Sequence, residues 1–349
     1  MPKSEKNQKN KYKIVCAFLA LVILCLCVVT VLIHKNNKKP YYETGYAMGS
    51  VMQQTLYGKN AETASSEALL KVLATEALIS YREENSDVSK INNSSETTKI
   101  NERTKEILEI CLDVAKNSNG AFDISILPLS RLWDFDSENQ KVPLKETIDK
   151  CLPFVSYENI SLKNNEVSLL KEGTAIDLGA CGKGAACDDA VSVYKKYGLS
   201  GAVVYMGGSI GVFGEKPDKK DWLIGVRDPN GDVSDILGVL TVSEGFISTS
   251  GSYEKCFTEN GKTYHHILDT KTGFPVENEL VSVTVVAESG VLSDALSTAC
   301  FALGIEESQK LLSKYGASAI FVDKNNNIVL FGDIKFELTN KNYNLGAQQ

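Results

Sequence analysis

Three short stretches of this chain carry residue types that do chemistry together. In the first, a helical pattern over Ser293–Gly304 puts Leu292, Leu296, Ala299 and Leu303 on one apolar face. Asp294, Ser297 and Thr298 gather on the opposite side, bordered by Cys300 and Phe301, so the helix is expected to be covered on both faces. A carboxylate held there needs a partner. Hard oxygens at this spacing suit Mg²⁺, with its other positions filled by water, a backbone carbonyl or phosphate. The helix dipole accounts for the same aspartate without a metal.

The second stretch, Thr174–Asp189, runs strand-like to Asp177 and then places Gly179, Gly182 and Gly184 around one cation, Lys183. Bare backbone ahead of a helix can turn its N–H groups toward an anion such as phosphate. A structural glycine turn is the other reading. A Walker A loop is excluded, since Gly184 follows the lysine where Ser or Thr is required. The third stretch, Lys262–Pro275, holds His265 and His266 on a strand pattern, so only one of the two can face a given site. Their use as a base competes with a structural role. His34, the remaining histidine, stands apart at the N-terminus, which excludes a histidine-rich metal centre.

These stretches must be positioned by the rest of 349 residues, of which 43% are apolar and 23% charged, enough for a sizeable core. The net charge of −7 excludes a broad nucleic-acid surface. Ile14–Ile33 is free of charge and long enough, at roughly 30 Å, to cross a bilayer. We read 1–13 as a basic cytoplasmic tail, 14–33 as an uncleaved transmembrane anchor, 34–44 as a linker and 45–340 as a single domain outside the membrane. A cleaved signal peptide is the competing reading, disfavoured by the length of the run and the absence of an A-x-A site. The six cysteines beyond the span lack metal-pair spacing, and most of them read as small buried apolar residues.

Within the domain, a strand is expected over Tyr46–Tyr57, helices over Glu62–Arg82 and Asn101–Asn117, and a loop between those helices. Phe122, Ile124 and Ile126 alternate with Asp123 and Ser125, an extended piece that aims Asp123 away from the core. GAVVYMGGSIGVFG reads as a buried strand running into glycines, and the dinucleotide fingerprint fails because no helix follows it. Short strands come next, at 222–226, 236–242, 246–249, 264–268 and 281–286. The expected fold class is therefore α+β, with mixed or antiparallel sheets and packed helices.

Taken in order, the motifs Met48-Gly49-Ser50, Gly120-Ala121-Phe122-Asp123, Asp177-Leu178-Gly179 with Lys183-Gly184, Gly207-Gly208, Ser248-Thr249-Ser250-Gly251-Ser252-Tyr253, His266-Ile267-Leu268-Asp269 with Thr272-Gly273 and Pro275, Ser282-Val283-Thr284-Val285 and Ser293 to Thr298 resemble the FAD:protein FMN transferases, the ApbE family. The resemblance implies an extracytoplasmic enzyme that binds FAD and Mg²⁺ and moves FMN to a threonine hydroxyl of a flavoprotein, releasing AMP. It implies flavin contacts from Met48, Tyr81, Ala121, Phe122, Asp123, Asp177, Lys183 and Leu268. It implies metal ligation by Asp294, Thr298, Ser297 and the main chain at Ala180, with His266 or Asp177 as the proton acceptor. The chain departs from the family pattern at Ser50, where Thr is usual, at Ser209, where Asp or Asn is common, and at Thr270, where Pro is usual. Ser297 also stands where some members carry a carboxylate.

The family's targets resemble D-x-x-[ST]-G-A-[ST]. The nearest stretches here, 200–203 and 315–318, each fail at a key position, so the expected acceptor is a separate protein. An Mg²⁺-dependent FAD pyrophosphatase and a surface FAD-binding protein without activity are the alternatives.

Overall fold

The computed structural model describes Val22, Ile23 and residues 39–346. The run read as a membrane anchor lies outside the described residues except for Val22 and Ile23. Among the described residues no helix is long and apolar enough to cross a membrane.

Nine strands form one sheet: β1 (Tyr41–Ala47), β2 (Ser50–Tyr57), β3 (Gly201–Met206), β4 (Ser209–Gly214), β5 (Gly245–Gly251), β6 (Leu280–Ala287), β7 (Ser318–Asp323), β8 (Asn327–Phe331) and β9 (Asn344–Leu345). Their order across the sheet is their order along the chain, and neighbours are antiparallel except for the short parallel pair β8–β9. The sheet is thus a meander in which two connections, β2 to β3 and β6 to β7, carry the helices. That segregation makes the fold α+β, as the sequence leads one to expect.

Alternation along β7 shows how both sheet faces are buried. Ala319 and Phe321 enter the core beneath the helices. Ile320 and Val322 enter a second core under a three-stranded sheet of Trp222–Arg227, Ile236–Val242 and Lys335–Leu338.

Eight helices lie among the described residues: α1 (Ala61–Ile79), α2 (Asp87–Asn93), α3 (Glu102–Asn117), α4 (Leu127–Trp133), α5 (Lys145–Cys151), α6 (Gly182–Lys196), α7 (Gly290–Leu303) and α8 (Ile305–Tyr315). α6 lies between α1 and α7, and α7 packs on β5 and β6.

Several boundaries differ from the sequence reading. Tyr41–Thr44, read as linker, pairs with Thr55, Gln54, Gln53 and Leu56 of β2 and belongs to the sheet. α1 stops at Ile79, so Tyr81 stands beyond the helix. The expected loop after it contains α2, whose N-terminus is capped by Ser86 accepting from the Ser89 N–H at 2.8 Å. GAVVYMGGSIGVFG is a hairpin, β3 and β4, folded at Gly207-Gly208.

Candidate active site

The site is organised by two helices that cap one another. Gly184 on α6 and Gly290 at the start of α7 touch through bare backbone: a Cβ on Gly184 would stand 1.9 Å from the Gly290 carbonyl oxygen, and one on Gly290 would stand 2.0 Å from that of Gly184. At that crossing Asp294 of α7 accepts the Gly184 N–H at 2.9 Å and that of Lys183 as well. Asp188 of α6 returns the arrangement, accepting the Gly290 and Val291 N–H groups at 2.7 and 3.0 Å. Each carboxylate therefore satisfies orphan amides of the other helix. Burial raises the pKa of both, against the pull of those amides and, for Asp294, of Lys183.

This changes the reading of the glycine loop. The N–H groups of Lys183 and Gly184 are taken by Asp294, so the helix N-terminus is filled from within rather than left open to an anion. Gly184 serves the helix crossing. The Lys183 ammonium makes no hydrogen bond or ion pair among the described residues. Its stem runs beside Gly207, where φ is +57° and a Cβ would meet Ser50 Oγ at 2.9 Å and Lys183 Cδ at 3.2 Å. Ser50, one of the departures from the family pattern, thus lines the channel of this lysine.

Asp294 is 4% exposed and sits in a layer of hydroxyls between α7 and β5. Ser209 donates to its carboxylate and accepts from Ser248 at 3.1 Å, and Ser248 lies 2.9 Å from Ser293. Ser209, the second departure, therefore supplies a donor to Asp294. Ser297 donates to the Asp294 carbonyl at 2.8 Å and meets Ser250 at 2.8 Å, while Thr298 lies 3.2 Å from Ser250. Ser248 and Ser250 entered the sequence reading only as members of a motif and Ser209 only as a departure, with no contact assigned; the alternation of Ser248 and Ser250 on β5 toward α7 is the signal that marks them.

The donor set fits one hard cation in part. Asp294 supplies a carboxylate and Thr298 a half-buried hydroxyl. The Ala180 carbonyl accepts no hydrogen bond among the described residues, which leaves a hard oxygen free for Mg²⁺. Ser297 fits least, because its hydroxyl is committed to Asp294 and Ser250. No group of three His, Cys, Asp or Glu suited to a metal occurs among the described residues.

The two histidines separate as strand alternation requires. His265 is buried, its Nε2 lies 3.0 Å from the Val276 carbonyl, and its ring stands edge-on to Phe301. His266 is exposed, with Lys183 and Lys255 near its ring. Loss of hydration, then repulsion from Lys183, His265 and Lys255, pushes its pKa down to about 4. The turn after it is fixed by Asp269, which accepts the Lys271 N–H at 2.7 Å, and by Thr270, the third departure, which donates to the Gly120 carbonyl at 2.7 Å. That bond ties the histidine turn to the Ala121–Asp123 segment.

Asp177 is half-buried and accepts the Gly179 N–H at 2.8 Å, and burial raises its pKa. Tyr81 is half-buried beside it, with the Arg82 guanidinium 4.5 Å above its ring. Met48 forms the β1–β2 turn with Gly49, at φ of 52° and 65°. A left-handed methionine is strained, and here it places the sulfur 3.9 Å from the point a Cβ on Gly182 would occupy. Phe122 and Leu268 are core residues, 2% and 6% exposed, so they shape the wall from behind.

Asp123 corrects an expectation. It is 8% exposed and does not point away from the core. One of its oxygens takes the N–H and hydroxyl of Ser125 at 2.8 and 2.7 Å, and the other takes the Tyr157 N–H at 2.6 Å. The segment is a turn before α4 rather than a strand, because its carboxylate captures local amides that a strand would send to a neighbour.

A sequence model of the ApbE family matches residues 48–321. The chain belongs to the ApbE family. The proteins named FAD:protein FMN transferase from Treponema pallidum and Klebsiella pneumoniae are 28% and 29% identical to it, covering 87% and 84% of this chain and 90% and 93% of their own. The crystal structure of the ApbE protein of Thermotoga maritima superposes with a TM-score of 0.76 at 31% identity, over 85% of this chain and 96% of that one. The α+β fold is that of the ApbE structures, and Lys183, His266, Asp177 and Asp294 all lie within the matched region.

Proposed function

We propose that this chain transfers FMN from FAD to a threonine hydroxyl of a separate flavoprotein and releases AMP. The observation that carries the reading is the closeness of Lys183, whose ammonium makes no ion pair among the described residues, to His266, whose pKa is held below the ordinary histidine value. Family membership and the names of the relatives support it. In the reaction the threonine oxygen forms a bond to the phosphorus of the FMN half, and the bond from that phosphorus to the AMP oxygen breaks. The hydroxyl proton passes to His266, and AMP departs with the electron pair. His266, with a pKa of about 4, is unprotonated and able to accept that proton. Lys183 offsets charge on the phosphate oxygens, and Met48 and Tyr81 offer apolar and aromatic surface to the flavin. Mg²⁺, held by Asp294, Thr298 and the Ala180 carbonyl, would supply further neutralisation of the diphosphate. Asp177 accepts the Gly179 N–H and so orients that turn; with its pKa raised by burial it is the alternative proton acceptor.

On this reading the charge-free run 14–33 anchors the domain on the outer face of a membrane, near acceptors of the D-x-x-[ST]-G-A-[ST] type. The test is the intact mass of such an acceptor after incubation with the full chain, FAD and Mg²⁺. A gain of one FMN, abolished by EDTA, is expected. Free FMN and AMP without a mass gain would make the protein a pyrophosphatase, and unchanged FAD would leave a binding protein.

A further inference from the structure

The sheet face that carries Ile320 and Val322 is covered from β3 onward and open at its first two strands. Val203 of β3 lies in the core under the three-stranded sheet. Thr55 of β2 stands opposite Val203, and Tyr42 of β1 stands opposite Thr55, so all three share that face. Strand alternation adds Thr44, Tyr46, Val51 and Gln53. On β1 and β2 this face holds no charged residue, and Tyr42, Tyr46 and Val51 are 69%, 66% and 47% exposed. β1 is the edge of the nine-stranded sheet, a place where exposed strands are ordinarily blunted by charge. The opposite face is closed by α1, whose Leu69 Cδ1 stands 2.9 Å from the point a Cβ on Gly45 would occupy. On that closed side the Tyr41 hydroxyl donates to Glu43 at 2.9 Å, whereas the Tyr42 and Tyr46 hydroxyls make no hydrogen bond among the described residues.

The chain ahead of β1 says what this face meets. Seven residues, 34–40, separate the charge-free run 14–33 from Tyr41, and fully extended they reach about 24 Å. A strand tethered that closely to a membrane span stays beside the bilayer. Lys35, Lys38 and Lys39 in the tether suit anionic headgroups. We propose that the open face of β1 and β2 lies on the surface of the bilayer that holds 14–33, with Tyr42 and Tyr46 at headgroup level. A tyrosine ring offers apolar surface to the lipid and its hydroxyl reaches the wet layer. The docking rests on reading 14–33 as an anchor. It makes β1 run along the membrane, so that its seven residues carry the Met48 turn about 24 Å from the point where the tether enters. Met48, which offers surface to the flavin, is thereby held at the level where a membrane-bound acceptor presents its threonine.

The experiment places the full chain in nanodiscs of phosphatidylcholine and phosphatidylglycerol and reads tryptophan emission against lipid brominated near the top of its acyl chains. The two native tryptophans, Trp133 and Trp222, are buried and give a constant background. Tyr46→Trp and, separately, Tyr42→Trp should each lose about half of the added emission, as expected of an indole at the interface. Leu70→Trp, at a position 61% exposed on α1 behind the closed face, should lose none. Flotation of the parent chain with vesicles tests the anchor by itself. A chain that floats while both tyrosine variants go unquenched keeps the anchor and overturns the docking. Equal quenching at all three positions also overturns it, since the domain then has no preferred face. Unquenched, blue-shifted emission from a disc holding two chains overturns it in favour of a second copy on this face. A chain that does not float removes the anchor and the docking together.

Discussion

Replacing Gly184 with alanine tests whether the glycine loop is a phosphate cradle or a helix crossing. A methyl group there stands 1.9 Å from the Gly290 oxygen and 2.9 Å from Asp294 Cβ, and both obstacles are parts of α7. To reach ordinary contact the two helices must part by roughly 1.5 Å, since interiors are close-packed and the blocking atom is backbone. Overpacking of this kind costs about 1–3 kcal/mol. Parting the helices also stretches the reciprocal caps, at about 1 kcal/mol for each helix end. Against these stands a gain of about 1 kcal/mol from removing a helical glycine. The net loss is about 2–4 kcal/mol, which for a domain of this size lowers the melting temperature by about 5–10 °C. Gly182→Ala is the control, because its methyl meets Ile79 Cδ1 at 3.7 Å and Met48 Sδ at 3.9 Å, both ordinary contacts. Thermal unfolding by circular dichroism should show the drop for Gly184→Ala and almost none for Gly182→Ala. A Gly184→Ala protein that melts with the parent would refute the crossing. Two variants that keep their melting points and lose FAD affinity together would restore the cradle.

Two further outcomes are expected. Because the folded-state pKa of His266 lies near 4, below the ordinary histidine value of 6.5, the ring stays unprotonated through the neutral range; kcat/KM for transfer should not fall between about pH 8 and pH 5 on its account, and should fall below about pH 4. His266→Gln should remove this acid limb and slow transfer more than it weakens FAD binding; a parental inflection near 6.5, absent in the variant, would contradict the lowered pKa of His266. Asp294→Ala should lose Mg²⁺-dependent transfer and, because two amides of α6 lose their acceptor, about 1–2 kcal/mol of stability. A variant with parental transfer removes the metal reading, and one with a parental melting point removes the cap.

The functional site was legible where local periodicity speaks. The opposition of His265 and His266 follows from strand alternation alone, and the facing of Asp294, Ser297 and Thr298 follows from helical spacing. The seating of Asp123 was not legible, because a carboxylate that folds back onto its own turn looks, in sequence, like one that points outward. Nor did the sequence reveal α2, whose short pattern is set by a serine cap rather than by an apolar stripe.

The sequence by itself determined the longer helices, the α+β class, the family and the cluster of chemical residue types, since these depend on spacing of a few residues and on motif order. Tertiary structure alone decided what Gly184 is for, which amides Asp294 occupies, and that Arg82 and Lys255 both pair with Asp136. Those facts join residues between 54 and 119 positions apart along the chain. Backbone contact, charge exchange and burial act through space, and no local pattern records which distant segment will arrive.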